Sequence, residues 1–174
     1  MVLCKQRIAL DLETTGTNPN VDEILSLSIV DGSGRVLLDE MFRPTHRKSW
    51  PSAQKVNRIT PQMVCECGGI DASIENIQAI FDRADEVVVY NAKFDLGFLA
   101  AAGVRVDRGK VIDAMITFAK VSKAGDGSHG KLKWFKLVDA AELIGYQWEG
   151  DPHSSLADAK ATLVVQQWVD DATG

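Results

Sequence analysis

The hydrophobic positions fall first into strand-like runs and then into helix-like stripes. Residues 8–12, Ile-Ala-Leu-Asp-Leu, form an apolar run broken only by Asp11, which reads as a buried strand. Residues 24–30 and 35–42 read as two more strands, joined by a hairpin turn at Asp31-Gly32-Ser33-Gly34. The opening is therefore expected to be an antiparallel meander. Two short helical pieces are expected over 55–64, the second capped by Thr60 with Pro61 in its first position. Ile74, Ile77, Ile80 and Phe81 recur at the helical period. Residues 86–90 are β-branched and follow a helix, so this fourth strand should run parallel beside the first. An apolar helix is expected over 94–102 with Gly103 at its end, a short fifth strand within 104–112, and a helix from Asp113 to Val121. Ser122 to Gly130 is glycine-rich and reads as flexible; helices over 132–144, ended by Gly145, and over 154–169 close the pattern. No repeat, linker or second domain interrupts it. The expectation is one domain over residues 1–174, α/β, with a mixed five-stranded sheet (three antiparallel strands, then parallel ones) and helices on both faces.

Several acids break this pattern where burial makes them costly. Asp11 and Glu13 lie two apart at the end of a core strand, so their side chains point the same way. Adjacent buried carboxylates repel each other, and a hard divalent cation such as magnesium would offset that. The alternative is a strand end with solvated acids. Thr14-Thr15-Gly16 turns the chain, with Gly16 free to adopt a positive φ. Asp95 is the one charged residue within 94–102 and stands in the first helical turn, where the helix N-terminus favours a carboxylate; a plain capping role would also place it there. Asp158 falls inside the apolar arc formed by Ala157, Ala161, Val164, Val165, Trp168 and Val169. A charge in a buried stripe needs a partner, either a Lys or Arg or a metal shared with Asp11 and Glu13. His153 precedes that helix, and histidine is the side chain best matched to proton transfer near neutral pH. Four carboxylates and a base are what a pair of divalent ions needs to clamp the attacking and leaving oxygens of a phosphodiester.

Composition narrows the picture. The chain has 174 residues, 45% hydrophobic and 25% charged, as a soluble globular protein does. Its net charge of −5 argues against indiscriminate nucleic-acid binding. Basic residues nonetheless gather in two segments, Arg43, Arg47, Lys48, Lys55 and Arg58 near Trp50, and Lys120, Lys123, Lys131, Lys133 and Lys136 near Trp134. Such mixtures suit either a phosphate-tracking surface with stacking rings or two solvated loops. Cys4, Cys65 and Cys67 make an odd count, so a reducing, cytoplasmic setting is expected rather than a disulfide framework, and a zinc site lacks a second ligand pair. No secretory leader and no membrane-spanning stretch is expected.

The motifs together resemble the DEDDh (DnaQ-like) 3′–5′ exonuclease family. The first is Asp11-Leu12-Glu13-Thr14-Thr15-Gly16, the second Asn91-Ala92-Lys93-Phe94-Asp95, the third His153-Ser154-Ser155-Leu156-Ala157-Asp158-Ala159. Residues 57–64 are similar to the family's loop after the third strand, and the resemblance runs over nearly the whole chain. It implies a ribonuclease H-like fold. It implies that Asp11, Glu13, Asp95 and Asp158 bind two Mg2+ or Mn2+ ions, with His153 as general base. It implies substrate contacts at Leu12, Thr14, Thr15, Met63, Asn91 and Phe98 around a free 3′ end, more weakly for Met63 and Phe98. The implied activity is release of nucleoside monophosphates from single-stranded DNA, with an exoribonuclease or an inactive nucleic-acid-binding module as alternatives. The implied partners are single-stranded DNA or RNA 3′ ends; a second copy of the chain or a polymerase is also compatible, and a membrane is not. The spacing of His153 to Asp158 matches the histidine branch, since the tyrosine branch would carry Tyr where Ser154 stands. Tyr90 departs from the pattern, because many relatives have His there. A phosphatase of haloacid dehalogenase type would have Asp in place of Glu13, and would leave His153 and Asp158 unexplained.

Overall fold

A computed structural model describes residues 5–122 and 134–174. Its centre is one five-stranded sheet in the order β3-β2-β1-β4-β5. β1 (Arg7–Thr14), β2 (Ile24–Asp31) and β3 (Val36–Met41) form the expected antiparallel meander, and β4 (Glu86–Val89) and β5 (Val111–Asp113) run parallel to β1. Around the sheet lie α1 (Pro51–Asn57), α2 (Pro61–Val64), α3 (Ile74–Arg83), α4 (Ala92–Ala101), α5 (Ala114–Val121), α6 (Leu137–Leu143) and α7 (Ser155–Thr173). Among the described residues no helix is long and apolar enough to cross a membrane.

Alternation along β1 divides the core in two. Ile8, Leu10 and Leu12 point to one face and pack with Ile77, Phe81, Phe98 and Leu99 of α3 and α4. Ala9, with Asp11 and Glu13 further along, points to the other. There Ala9 and Val88 meet Ala159 and Leu163 of α7, and the small side chains let that helix lie close on the strand.

Some boundaries differ from the sequence reading. The first helix starts at Pro51, because proline at the first position needs no backbone partner. Thr60 caps α2 as expected, accepting from Met63 N. The fifth strand shrinks to Val111–Asp113, since Arg108–Lys110 form a 3-10 turn capped by Asp107. The penultimate helix begins only at Leu137, after the extended Lys136. Gly16 does not take a positive φ; it is needed for space, because a Cβ there would run into the Asp22 carboxylate. The glycine-rich stretch from residue 123, with Lys123, Lys131 and Lys133, lies outside the described residues, as does Cys4.

Candidate active site

β1 carries Asp11 and Glu13 to the edge of the α7 face, and α7 brings Asp158 against them. One ligand oxygen from each of the three lies within 4.8 Å of the others. Asp95, 2% exposed in the first turn of α4, stands outside that set of three, close enough for its charge to act on Asp11. Its charge is the strongest of the neighbouring carboxylates acting on Asp11, ahead of Asp158 and Glu13. The four positions thus converge from β1, α4 and α7.

The electrostatics follow from burial and crowding. Burial first, then Asp95, Asp158 and Glu13, hold Asp11 well above the usual carboxylate range. Burial raises Asp95 as well, against the pull of its own N–H and that of Leu12. Glu13 is pushed up to about 7, by burial and by Asp158. Asp158 is raised by burial, while the backbone N–H and the charge of His153 pull it down. Among the described residues none of the four pairs with a Lys or Arg; all the ion pairs lie elsewhere. The group therefore carries an unmet demand for positive charge, and its hard oxygen donors suit a divalent ion such as Mg2+ or Mn2+.

The surrounding elements hold these carboxylates in place. Pairing of β1 with β2 slips between Glu13 and Thr14, leaving Leu25 as the extra residue of a bulge. Leu25 packs with Trp50, Ile59 and Val64, which anchors α1 and α2 beside the strand end. That places Asn57, 7% exposed, next to Glu13. Its Nδ2 donates to Thr14 O at 3.1 Å and its Oδ1 accepts from Ile59 N at 3.1 Å, and the amide pulls the Glu13 carboxylate down against the effect of burial. The Asp113 carboxylate accepts from Asn91 N and Ala92 N, and also from Met115 N and Ile116 N. One side chain thus pins the starts of α4 and α5, and with α4 the position of Asp95. Neither Asn57 nor Asp113 stands out in the sequence as a site residue. The turn signal at Asp113 gave the helix start alone, and the Asn57 contact spans 43 residues.

His153 is exposed, has φ 68°, and its backbone N–H donates to Asp158 Oδ1 at 3.2 Å. Asn91 (φ 66°) and Arg58 (φ 61°) are the other described non-glycine residues in this left-handed region. All three adjoin the carboxylates: Arg58 follows Asn57, Asn91 opens α4, and His153 precedes α7. Such backbone is sparsely populated and clusters at functional sites.

The other expected contacts are distributed unevenly. The Leu12 side chain lies in the core on the opposite face, so only its backbone reaches the group. Thr14 and Thr15 are 5% and 6% exposed, and Thr15 Oγ1 is tied into the turn by Glu23 N and Asp22. Asn91 is exposed beside the group; Met63 is exposed on α2. Phe98 is 2% exposed and its ring lies tilted against that of Phe94, centroids 5.0 Å apart, a core position. Tyr90 donates to Phe135 O at 2.9 Å. Cys65 and Cys67 are free thiols and do not join the carboxylates.

The chain is similar to known exonucleases. A family model described as Exonuclease, of the RNase_T type, matches residues 8–165. The exonuclease CP81 of Escherichia phage 186 is 30% identical over 91% of the chain and 85% of its own length. RNA exonuclease 4 of Gibberella zeae is 29% identical over 91% of the chain, which spans 47% of that protein. A PolC-type DNA polymerase III of Staphylococcus haemolyticus is 26% identical, and the chain spans 11% of it. The fold of Exonuclease X, solved in complex with 5′ overhanging duplex DNA, matches with a TM-score of 0.72 at 21% identity, over 97% of this chain and 93% of that one. Exonuclease I matches with a TM-score of 0.76 at 21% identity, over 97% of this chain and 41% of its own. The mixed sheet with its helices is therefore the ribonuclease H-like architecture of those exonucleases. The chain belongs to the DnaQ-like exonuclease family and is a nuclease.

Proposed function

We propose that the chain, as one exonuclease unit over residues 1–174, removes nucleotides one at a time from the 3′ end of single-stranded DNA. The observation that carries this reading is the cluster of Asp11, Glu13 and Asp158, with Asp95 acting on Asp11 and no Lys or Arg paired to any of them among the described residues, beside an exposed His153. Asp11, Glu13, Asp95 and Asp158 would hold two divalent ions, Mg2+ or Mn2+. When bound, such ions neutralise phosphate charge and make water a better nucleophile.

The chain's own residues have separate tasks in this scheme. His153, exposed and joined to Asp158 through its backbone N–H, takes a proton from the attacking water. The water oxygen bonds to phosphorus as the bond from phosphorus to the 3′ oxygen breaks. The products are a nucleoside 5′-monophosphate and a strand with a new 3′ hydroxyl. Asn57 and Leu12 keep Glu13 and Asp95 in position, and Asn91 with the Thr14–Thr15 turn lies where the terminal nucleotide would rest. The fold shared with Exonuclease X, which was solved with DNA, supports DNA as substrate. RNA is the second reading, favoured by the 29% identity to RNA exonuclease 4. The free thiols of Cys65 and Cys67 suit a reducing compartment.

The test is a cleavage ladder on matched DNA and RNA oligonucleotides labelled at the 5′ end, with Mg2+ or with EDTA. A Mg2+-dependent ladder that shortens from the 3′ end, and is absent with a 3′-blocked strand, is expected. Cleavage that ignores the block, or proceeds in EDTA, would sink the proposal. The ratio of the two rates decides between DNA and RNA.

A further inference from the structure

The sheet face that carries Asp11 and Glu13 also carries two buried serines on β2. Ser28 pairs across the strands with Asp11, and Ser26 with Glu13, so each carboxylate has a hydroxyl as its neighbour on the same face. Ser28 is 0% exposed and Ser26 6%. Buried hydroxyls are costly unless hydrogen-bonded. Both meet Ser155, 4% exposed, at the start of α7. Ser26 Oγ bonds to Ser155 Oγ, and Ser28 Oγ lies 2.7 Å from the same atom. Ser155 stands three residues before Asp158, one turn away on the same side of the helix.

One further contact fixes every proton in this group. Ser28 Oγ donates to Asp39 Oδ1 at 2.7 Å. An ionised carboxylate only accepts, and each hydroxyl has one proton. Ser28 gives its proton to Asp39, so it accepts from Ser155. Ser155 has then given its own proton away, so it accepts from Ser26. The hydroxyls form a one-way chain from Ser26, beside Glu13, to the exposed Asp39 on β3. The neighbouring buried α7 residues, Ala157 and Ala159, are small and apolar and offer no polar hold of their own. A fully satisfied polar chain admits one arrangement.

We propose that Ser26, Ser28 and Ser155 form a hydroxyl latch that sets where Asp158 stands against Asp11 and Glu13, as positioning residues for the ions those carboxylates hold. This rests on the reading of the carboxylates as metal ligands. Thr162 provides an internal control. It is a buried α7 hydroxyl seven residues beyond Ser155, and its Oγ1 has no hydrogen-bond partner among the described residues.

The test uses Ser155→Ala, Ser28→Ala, their double variant, Thr162→Val and Asp158→Ala. Mn2+ binding without substrate is measured by calorimetry, and cleavage is followed against Mg2+ concentration. Each serine variant is expected to raise the Mn2+ Kd and the half-saturating Mg2+ about 10-fold, the low end for groups that orient metal ligands. The oligonucleotide KM and the rate at saturating Mg2+ stay within about 2-fold, since the ligands themselves remain. The double variant is no worse than either single one, because each breaks the same chain. Thr162→Val changes neither readout. Ser28→Ala keeps a small strand residue and supplies the answer if Ser155→Ala does not fold. Unchanged Mn2+ affinity in a folded serine variant overturns the latch, as does a loss of rate that saturating Mg2+ does not restore. If the wild-type chain binds no Mn2+, or Asp158→Ala cleaves normally, the metal-ligand reading itself fails.

Discussion

The two ends of β1 solve the same problem in opposite ways. At its start, Arg7 lies between acids from neighbouring elements: it pairs with Glu86 of β4 at 2.7 Å and with Asp170 near the end of α7. Lys5 adds a second bond to Glu86. The hydrogen bond from Lys5, and then those from Arg7, hold Glu86 below the usual carboxylate range. At the other end of the same strand, Asp11 and Glu13 meet Asp158, near the start of the same helix, and all are raised. A strand and a helix that meet a cation at one end meet none at the other among the described residues. The stabilised end serves the fold, and the repelling end is held for something that arrives from outside. Sites of this kind are built at the expense of stability.

Changes at the two ends should therefore fail differently. The largest effect is expected from Asp11→Ala, Glu13→Ala, Asp95→Ala or Asp158→Ala, each nearly abolishing cleavage in the oligonucleotide assay while the chain still folds by circular dichroism. Next is His153→Ala, with cleavage slowed by about 10²–10⁴-fold, the usual range for a general base. Full activity in Asp158→Ala would end the four-carboxylate scheme.

Stability in EDTA gives the third contrast. Glu13 has an ordinary pKa of 4.5 and one of about 7 in the fold. A raised folded value means that the folded chain binds the proton more tightly. The stability this confers is complete below the ordinary value and is lost as pH rises through about 7. The loss is about 3 kcal/mol for Glu13 alone, or a fall in Tm of roughly 6–12 °C for a chain of this size. A melting series from pH 4.5 to 8 in EDTA should show that fall, and saturating Mg2+ should reverse most of it at the upper end. A flat series would remove the repulsion argument. The smallest effect belongs to the paired end. Arg7→Met should cost about 1–2 kcal/mol, because Glu86 keeps Lys5. The oligonucleotide assay should show an unchanged cleavage rate.

What was legible in the sequence was what periodicity can carry. Asp11 and Glu13 share a face by strand alternation, and Asp158 violates a helical stripe, so each announces itself locally. The meander and the parallel β4 follow from turn residues and from a β-branched run after a helix. The supporting residues were not legible, because their roles exist only across long separations. Asn57 reads as a helix-end polar residue until a bulge at Leu25 brings α1 against Glu13. Ser26 and Ser28 read as polar interruptions of a strand until Ser155, more than 120 residues later, meets them. Phe98 shows the converse: an aromatic near a motif suits a base-contacting role or a core position equally, and packing against α3 places it in the core. Gly16 reads as a turn glycine free to take a positive φ, since sequence shows the missing Cβ but not the Asp22 carboxylate that a Cβ would meet.

The most direct test of the charge argument is the melting temperature of the wild-type chain and of Asp11→Asn, each in EDTA and in Mg2+ at pH 8. Asparagine keeps the shape and removes one repelling charge. The variant is expected to melt higher than the wild type in EDTA, and Mg2+ to raise the wild type by more than the variant. A wild type that ignores Mg2+, together with a variant that melts lower in EDTA, would contradict the charge argument.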